Sequence, residues 1–368
     1  MDIDYMLLKI KENGIRGSLR KISNRFSPFP KSINVEVMTV CNLKCKHCRV
    51  TYHGSLIPDV ELGMMDLGLF EKIVERVSPL IKKAVIFQFS SIEPLFHKDL
   101  FAMMDCVSRH NRHITFPILT NGMLLNESNV AKLSSRNVPS VTVSLDGCRK
   151  ETVESFKTGA DFDKIVGHIG SLKKISKRKI QLNTIFVATS SNVNELLEYV
   201  DFCSGLGVDN IFVNGFLSYR PELSRLSLYS KTGNTEVYGS FLKAQERARK
   251  RGISIQFPYL TAKARGCDAY AHMYIGENGD VSPCMHLARK TPFALFSETS
   301  VSSPVIYGNV LKDDPVSIWK KKEFSEFRNR QKRGEIPESC GYCGEAYGVI
   351  VSNFSAVNDK DGNIQPSA

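Results

Sequence analysis

The stretch VMTVCNLKCKHCRV, residues 37–50, decides the fold because it places three cysteines on a short loop. Cys41, Cys45 and Cys48 have the spacing C-x3-C-x2-C. Three thiolates can hold three irons of a 4Fe–4S cluster and leave the fourth iron open to a small ligand. The preceding run, residues 33–40, is rich in β-branched side chains and predicts a strand. The cysteines would then lie at the carboxyl end of a strand, where parallel α/β folds bind ligands.

A structural zinc site is the alternative interpretation of this triplet, because zinc is commonly held by four cysteine or histidine ligands. His47 or a distant residue would complete that ligand set. A closed zinc site would stabilise a fold, whereas an open iron would bind a reactive ligand.

Length and composition indicate a large globular chain of two domains. It has 368 residues, of which 42% are hydrophobic. It contains no apolar run of 18 residues, and its start, MDIDYMLLKIKENGIRG, lacks the pattern of a secretory signal. Together with ten cysteines, these features predict a cytoplasmic protein whose thiols bind metal instead of forming disulfides.

The formal net charge of +11 favours an anionic partner, such as a nucleotide, an acidic peptide, a phosphosugar or a reduced flavodoxin. A basic surface that is simply solvated, without an anionic partner, would give the same net charge. The basic residues are spread over predicted helix faces without interleaved aromatic rings, so a nucleic-acid partner is not expected.

Short β-branched runs alternate with longer amphipathic stretches from residue 33 onward, which predicts a parallel sheet with helices outside it. The predicted strands are residues 33–39, 84–90, 115–119, 140–145, 180–188 and 210–214. The predicted helices are residues 66–77, 98–109, 126–134, 162–174, 192–206 and 235–251. Asn192 is predicted to cap the fifth helix, in a capping box with Glu195.

The cysteine loop resembles the signature of the radical S-adenosylmethionine (SAM) enzymes, and later strand ends resemble motifs of that family. SSIEP at residues 90–94 stands where the family usually has GGEP, LTNG at 119–122 where it has TNG, and VSLDG at 143–147 where it has SLDG. In the helix entry that follows, Lys157 replaces the commoner Arg. The resemblance implies an α/β fold, a partial (β/α)6 barrel related to the TIM barrel. Both glycines of GGEP are replaced, which leaves the geometry of that turn open.

The resemblance also implies a cofactor site. Cys41, Cys45 and Cys48 would hold a 4Fe–4S cluster whose open iron binds SAM, and reductive cleavage would give a 5′-deoxyadenosyl radical that removes a substrate hydrogen atom. Further cofactor contacts are expected from Glu93, at the SAM ammonium group, and from Asn121, Ser144 and Asn214.

A second set of cysteines, Cys267, Cys284, Cys340 and Cys343, lies in the last third of the chain. Asn278-Gly279 predicts a hairpin that brings the first two together. Residues 265–348 resemble the C-terminal SPASM/twitch domain of radical SAM enzymes, with "GDVSPC", "YGNVLKD" and "CGYC". The resemblance implies one auxiliary 4Fe–4S cluster on these four cysteines, and a four-cysteine zinc site is the alternative.

Three cysteines remain outside the two sets. Cys106 and Cys203 lie on apolar helix faces and are expected in the core. Cys148 directly follows SLDG, so its thiol is a candidate catalytic hydrogen-atom donor, and a helix-entry residue without a role is the alternative.

We therefore expect a radical SAM oxidoreductase, a dehydrogenase of a small polar substrate similar to a sugar or aminocyclitol. A radical epimerase and a peptide-modifying maturase are the alternatives, and a zinc-stapled interaction protein is the non-enzymatic one. The expected partners are an electron donor such as flavodoxin or ferredoxin and a small-molecule or peptide substrate, without membrane insertion. The expected domains are a lead-in (1–32), the barrel (33–252), the small α+β auxiliary domain (253–350) and a tail (351–368).

Overall fold

The computed structural model describes residues 28–48, 63–177, 179–230, 233–260, 266–295 and 298–350. The expectations for the tail and for most of the lead-in lie outside these ranges. Within the described parts of the chain, no helix combines the length and apolar character needed to cross a membrane.

The described chain alternates strands and helices over its first two thirds and then continues with short strands. The strands are β1 (Ser32–Met38), β2 (Lys44–Cys45), β3 (Ile86–Ser91), β4 (Ile118–Thr120), β5 (Ser140–Ser144), β6 (Lys157–Thr158), β7 (Gln181–Ala188), β8 (Asn210–Gly215), β9 (Ser254–Gln256), β10 (His272–Ile275), β11 (Asp280–Ser282), β12 (Thr291–Leu295), β13 (Glu298–Ser302) and β14 (Gly308–Asn309). The α-helices are α1 (Leu67–Ile81), α2 (Leu100–His110), α3 (Glu127–Ser134), α4 (Lys150–Phe156), α5 (Phe162–Ile175), α6 (Leu196–Gly205), α7 (Thr235–Arg251), α8 (Pro315–Lys320) and α9 (Lys322–Lys332).

The main strands form two five-stranded sheets that together make an open barrel. One sheet has the order β4-β5-β7-β8-β9 and is parallel throughout, and the other has the order β14-β11-β10-β1-β3. A single parallel bridge between Ile86 and Thr115 connects the two sheets between β3 and β4. Each of the six predicted strand–helix pairs is present, so the predicted α/β partial barrel is confirmed.

Strand β1 is buried on both faces, as parallel strands in α/β folds are. Ile33, Val35 and Val37 are fully buried on one face, and Asn34 and Glu36 are buried on the other. β1 pairs in parallel with β3 and also with β10, which comes from the C-terminal part of the chain. The strand that leads to the cysteine loop therefore has a hydrogen-bonded neighbour on each side.

The chain between β10 and β11 is the predicted hairpin, with Tyr274 opposite Ser282 in antiparallel register. Gly279 has a φ of +87°, and a Cβ there would lie 3.0 Å from Leu311 Cγ. The turn therefore needs glycine.

The predicted cap at Asn192 is wrong, because its side chain makes no capping hydrogen bond to the following helical turn. Its Oδ1 instead accepts from the Thr189 N–H at 2.8 Å, and its Nδ2 donates to the carbonyl oxygens of Asp146 and Val187. Asn192 thus fastens the loop after β5 to the loop after β7. A tertiary contact has displaced the local capping box.

Candidate active site

The predicted cluster loop folds back on the strand that follows α4. β2, which contains Cys45, pairs antiparallel with β6, and Cys45 lies opposite Lys157. The Cys41 Sγ accepts from the Leu43 N–H at 3.3 Å and from Asn121 Nδ2 at 3.7 Å. Burial raises the pKa of Cys41 to about 11 and that of Cys45 to about 12. These thiols therefore need a cationic group beside them to become thiolate ligands.

His47 is half-buried between two aromatic rings. Its ring meets Phe156 and Phe216 edge-on, with centroid distances of 6.1 and 6.2 Å. Burial lowers the pKa of His47, which favours the neutral ring at pH 7.

Lys157 is a buried cation beneath the cluster loop, in contact with Ser144 and Asp146. Its Nζ donates to the Ser144 Oγ at 2.8 Å and to the Ser144 carbonyl oxygen, and it lies 3.1 Å from the Asp146 Oδ2. The Asp146 Oδ1 accepts from the Val187 N–H at 2.9 Å. The predicted cofactor residue Ser144 is thus brought against the cluster loop by a buried ion pair.

Glu93 and Asn121, both predicted cofactor residues, are joined directly. The Glu93 carboxylate accepts from the Asn121 N–H at 2.6 Å, from the Thr120 Oγ1 at 2.8 Å and from the Leu95 N–H at 3.2 Å. Burial raises the pKa of Glu93 to about 7, although these donors lower it. Asn121 Nδ2 continues the chain of contacts to Asn42 Oδ1 at 2.8 Å, beside Cys41.

The SSIEP turn does not use the backbone conformation that glycine permits. Among the described residues, Lys177 is the non-glycine residue with positive φ. β3 extends to Ser91, which pairs with Met38 after a register shift, and Glu93 starts a short 3-10 helix with a φ of −146°. Serine and isoleucine therefore fit this turn without strain in the left-handed region.

The four C-terminal cysteines line one cavity. Its other walls are largely apolar, with Ala269, Leu287, Phe293 and Phe327 among them. Gln331 connects two of the cysteines, since its Oε1 accepts from the Cys267 N–H at 2.9 Å and its Nε2 donates to Cys340 Sγ at 3.6 Å.

The chemistry of this donor set fits an iron–sulfur cluster. Burial raises the pKa of Cys284 to about 12 and that of Cys340 to about 11, and it raises the pKa values of Cys267 and Cys343 well above the usual range of a thiol. Ionised sulfurs at this place require a cationic group between them. No three His, Cys, Asp or Glu side chains in the described ranges meet at a single-ion site. Four cysteine sulfurs around one apolar cavity are the ligand set of a 4Fe–4S cluster.

His286 and Glu345 also line this cavity. His286 Nε2 lies 3.0 Å from Glu345 Oε1, and within the described residues His286 Nδ1 is buried without a hydrogen-bond partner. Sequence reasoning missed this pair and Gln331, because nothing in their local sequence marks them.

Cys148 lies on the loop after β5, facing the start of α6. Its backbone N–H donates to Glu195 Oε2 at 3.2 Å, and its Sγ lies 3.7 Å from the same oxygen and 3.9 Å from Glu198 Oε2. Burial and these two carboxylates raise its pKa to about 12. These contacts join Cys148 to α6 and not to the other predicted site residues, and its catalytic role stays a prediction.

Asn214 is buried near the end of β8, two residues before Phe216, which lines a larger cavity of about 430 Å³. We call it the β8 cavity. It is lined by residues that follow β8, by β12 and by the segment after Cys340, including Phe216, Ser218, Tyr229, Phe293, Tyr342 and Gly344. Gly215 N–H donates to the Val349 carbonyl oxygen at 2.7 Å, so the end of the barrel strand contacts the end of the auxiliary domain.

Comparison with known proteins gives the family. The model of the radical SAM superfamily matches residues 35–203, and that of the SPASM iron–sulfur cluster-binding domain matches residues 267–344. Two cysteine sites, one beside a barrel strand and one in an apolar cavity, define an iron–sulfur enzyme. The chain belongs to the radical SAM superfamily and has a C-terminal SPASM domain. Its cofactors are 4Fe–4S clusters and SAM, as predicted, and the zinc-stapled alternative is set aside.

Relatives cover most of the chain at low identity. The AdoMet-dependent heme synthase of Methanosarcina barkeri is 25% identical over 338 residues, which are 85% of this chain and 88% of the relative. The mycofactocin maturase MftC of Mycobacterium tuberculosis is 22% identical over 328 residues, 86% of this chain and 76% of the relative. The solved structure of native anSMEcpe with bound AdoMet and Cp18Cys peptide has a TM-score of 0.60 at 21% identity, and the match covers 86% of this chain and 87% of that chain.

Proposed function

We propose that this radical SAM enzyme is an oxidoreductase that removes two hydrogens from a small polar substrate bound in the β8 cavity. The position of that cavity is the observation that supports the proposal. Tyr342 and Gly344, the neighbours of Cys343, line one wall, and Phe216, which contacts His47 of the cluster loop, lines another. A substrate in this cavity would lie between the two proposed cluster sites.

The cofactors supply the difficult chemistry, and the protein supplies orientation. When bound, SAM and its cluster on Cys41, Cys45 and Cys48 supply hydrogen-atom abstraction, and the auxiliary cluster supplies a one-electron acceptor. Glu93 and Ser144 are proposed to bind the polar groups of SAM. The apolar side chains Phe216 and Phe293 exclude water from the cavity wall.

The hydrogen-bonding groups of the β8 cavity suit a substrate rich in hydroxyl or amino groups. Four hydroxyl groups on its walls already donate to backbone carbonyls at distances between 2.6 and 3.1 Å, so their oxygens offer lone pairs to a ligand. They belong to Ser218, Ser224, Tyr229 and Ser230. Arg225 also lines the cavity.

A one-electron donor is required for SAM cleavage, and we propose a reduced flavodoxin or ferredoxin. Both carriers are acidic, and the chain has a net charge of +11.

A peptide-modifying function is the second candidate. A maturase, MftC, is among the relatives, and the structure of anSMEcpe, similar in fold, contains a peptide. The β8 cavity is large enough for one side chain of such a peptide.

Isotope transfer distinguishes these functions. Reconstituted protein would be incubated without oxygen with SAM, dithionite and fractionated metabolites from cells grown in deuterated medium. We expect a low-molecular-weight polar fraction to transfer deuterium into 5′-deoxyadenosine and to yield a product with two fewer hydrogens. Transfer from a peptide fraction alone would favour the maturase. A product with an unchanged hydrogen count and one solvent hydrogen would contradict the oxidoreductase and indicate an epimerase.

A further inference from the structure

Arg220 connects the wall of the β8 cavity to the cluster loop. Its Nη2 donates to the carbonyl oxygen of Lys46 at 2.6 Å. Lys46 lies between Cys45 and Cys48, and it is 174 residues away from Arg220 in sequence. The Arg220 side chain is only 14% exposed. A hydrogen bond from a charged donor is stronger than one between neutral groups.

Neighbouring contacts fix both partners of this hydrogen bond. The Lys46 N–H donates to the Phe156 carbonyl oxygen at 3.0 Å, so the cluster loop is held between α4 and Arg220. The Ser218 Oγ donates to the Arg220 carbonyl oxygen at 2.6 Å, and Glu222 Oε1 lies 3.5 Å from Arg220 Nη1. Arg220 therefore has a defined position from which to hold Lys46.

A second contact joins the same two parts of the chain. His47, the residue after Lys46, packs edge-on against Phe216, which is 3% exposed and lines the β8 cavity. The segment from residue 216 to 220 thus touches the cluster loop at two successive residues.

Further along the chain, the cavity wall also contacts the neighbourhood of the auxiliary site through Tyr229. The hydroxyl of Tyr229 donates to the Tyr347 carbonyl oxygen at 3.1 Å, four residues beyond Cys343. One cavity wall is therefore anchored at both proposed cluster sites.

The cluster loop has little regular structure of its own. β2 has two residues, and its ladder to β6 covers two residue pairs. A loop with so few backbone hydrogen bonds takes its shape from its tertiary contacts. We infer that Arg220 is a positioning residue for SAM, because it holds the loop of Cys41, Cys45 and Cys48 in the shape that binds SAM and ties this shape to the substrate cavity. The inference rests on these cysteines holding the SAM-binding cluster and not on the identity of the substrate.

The test compares Arg220→Met with Arg225→Met in the holoenzyme. Arg225 follows Arg220 by five residues and lines the β8 cavity, and within the described residues its side chain makes no hydrogen bond or ion pair. SAM affinity would be measured by anaerobic equilibrium dialysis, and the response of the reduced cluster to SAM by EPR. We expect Arg220→Met to weaken SAM binding about tenfold and to change the EPR spectrum, while Arg225→Met behaves as wild type in both. Arg220→Lys, which keeps one cationic donor, would restore part of the affinity.

Other outcomes distinguish a failure of the role inferred for Arg220 from a failure of the premise that Cys41, Cys45 and Cys48 hold the SAM-binding cluster. Wild-type SAM affinity and EPR response in Arg220→Met would overturn it, as would an equal loss in Arg225→Met. Loss of the SAM-binding cluster alone in Arg220→Met, with auxiliary iron kept, would support it. If Arg220→Met does not fold, Arg220→Gln decides, because wild-type SAM affinity, EPR response and stability in Arg220→Gln would contradict a role for the cation. Retention of all iron after joint replacement of Cys41, Cys45 and Cys48 would refute the premise instead.

Discussion

The ammonium group of Lys157 lies 3.1 Å from the Asp146 Oδ2, and the two side chains are 2% and 4% exposed. The pair lies directly behind Cys45, because Lys157 is its partner across the β2–β6 ladder. A buried ion pair of this kind is costly to break, since the remaining charge has neither water nor a counterion.

Lys157→Met should therefore destabilise the protein by roughly 3–5 kcal/mol, because it leaves the Asp146 carboxylate unpaired. Urea denaturation followed by circular dichroism would measure the loss. The double variant Lys157→Met with Asp146→Asn is the control, and it should lose clearly less than the single variant. Equal losses would mean that the ion pair has no part in the effect.

SAM binding should tighten with rising pH if Glu93 holds the SAM ammonium group. With a pKa raised to about 7, Glu93 is mostly neutral at pH 6 and mostly ionised at pH 8, so its charged fraction rises about tenfold. Anaerobic dialysis of SAM at the two pH values measures the change. Glu93→Gln should bind SAM more weakly and lose this part of the pH dependence, and an unaltered pH profile in the variant would argue against the assignment.

Each of the two cysteine sets should bind about half of the protein's iron. The wild type is expected to hold about eight irons, and about four should remain after joint replacement of Cys41, Cys45 and Cys48 by alanine. Replacing Cys267, Cys284, Cys340 and Cys343 should also leave about four. Iron and sulfide analysis after anaerobic reconstitution checks both numbers. Cys106→Ala is the control and should keep all the iron, because this thiol is buried on α2.

Gln331→Leu should make the reduction potential of the auxiliary cluster more negative. It removes the hydrogen bond to Cys340 Sγ, which stabilises the more negative, reduced cluster. One such bond corresponds to a shift of about 60 mV for a one-electron couple. An EPR-monitored redox titration measures the shift, and the SAM-binding cluster is the internal reference. Equal shifts of both clusters would show a general structural effect.

Cys148 should react slowly with alkylating reagents. Burial and the carboxylates of Glu195 and Glu198 raise its pKa to about 12, so at pH 8 its thiolate fraction is more than a hundredfold below that of a free cysteine. Iodoacetamide labelling followed by peptide mass spectrometry measures this rate. Glu195→Gln should speed it up, whereas wild-type labelling at the rate of glutathione would contradict the described environment.

The sequence was sufficient to predict the barrel and the proximity of three proposed site residues to the cysteine loop. The six strand–helix pairs have strong local periodicity, and their carboxyl ends bring Glu93, Asn121 and Ser144 toward the cysteine loop. The parallel pairing of β10 with β1 was not predictable from the sequence. β10 has only four residues, and its partner lies about 240 residues earlier in the chain.

Residues whose roles depend on tertiary contacts were also missed or misread. Asn192 has the sequence of a helix cap, but its amide bridges two loops. Arg220 and Gln331 look like ordinary polar residues of a loop and a helix, and only the fold brings them to Lys46 and to Cys340. Long-range hydrogen bonds of this kind have no periodicity or local spacing that a single sequence can show.

The parallel ladder between β1 and β10 limits how the chain can be divided. A truncated barrel that ended before residue 266 would lack β10, and the backbone of β1 would become an open sheet edge directly behind the cysteine loop. Such an edge invites pairing with other chains, so the shortened protein should aggregate. Anyone seeking a minimal SAM-cleaving fragment would need to retain the first hairpin of the SPASM domain, which acts as an outer strand of the catalytic half.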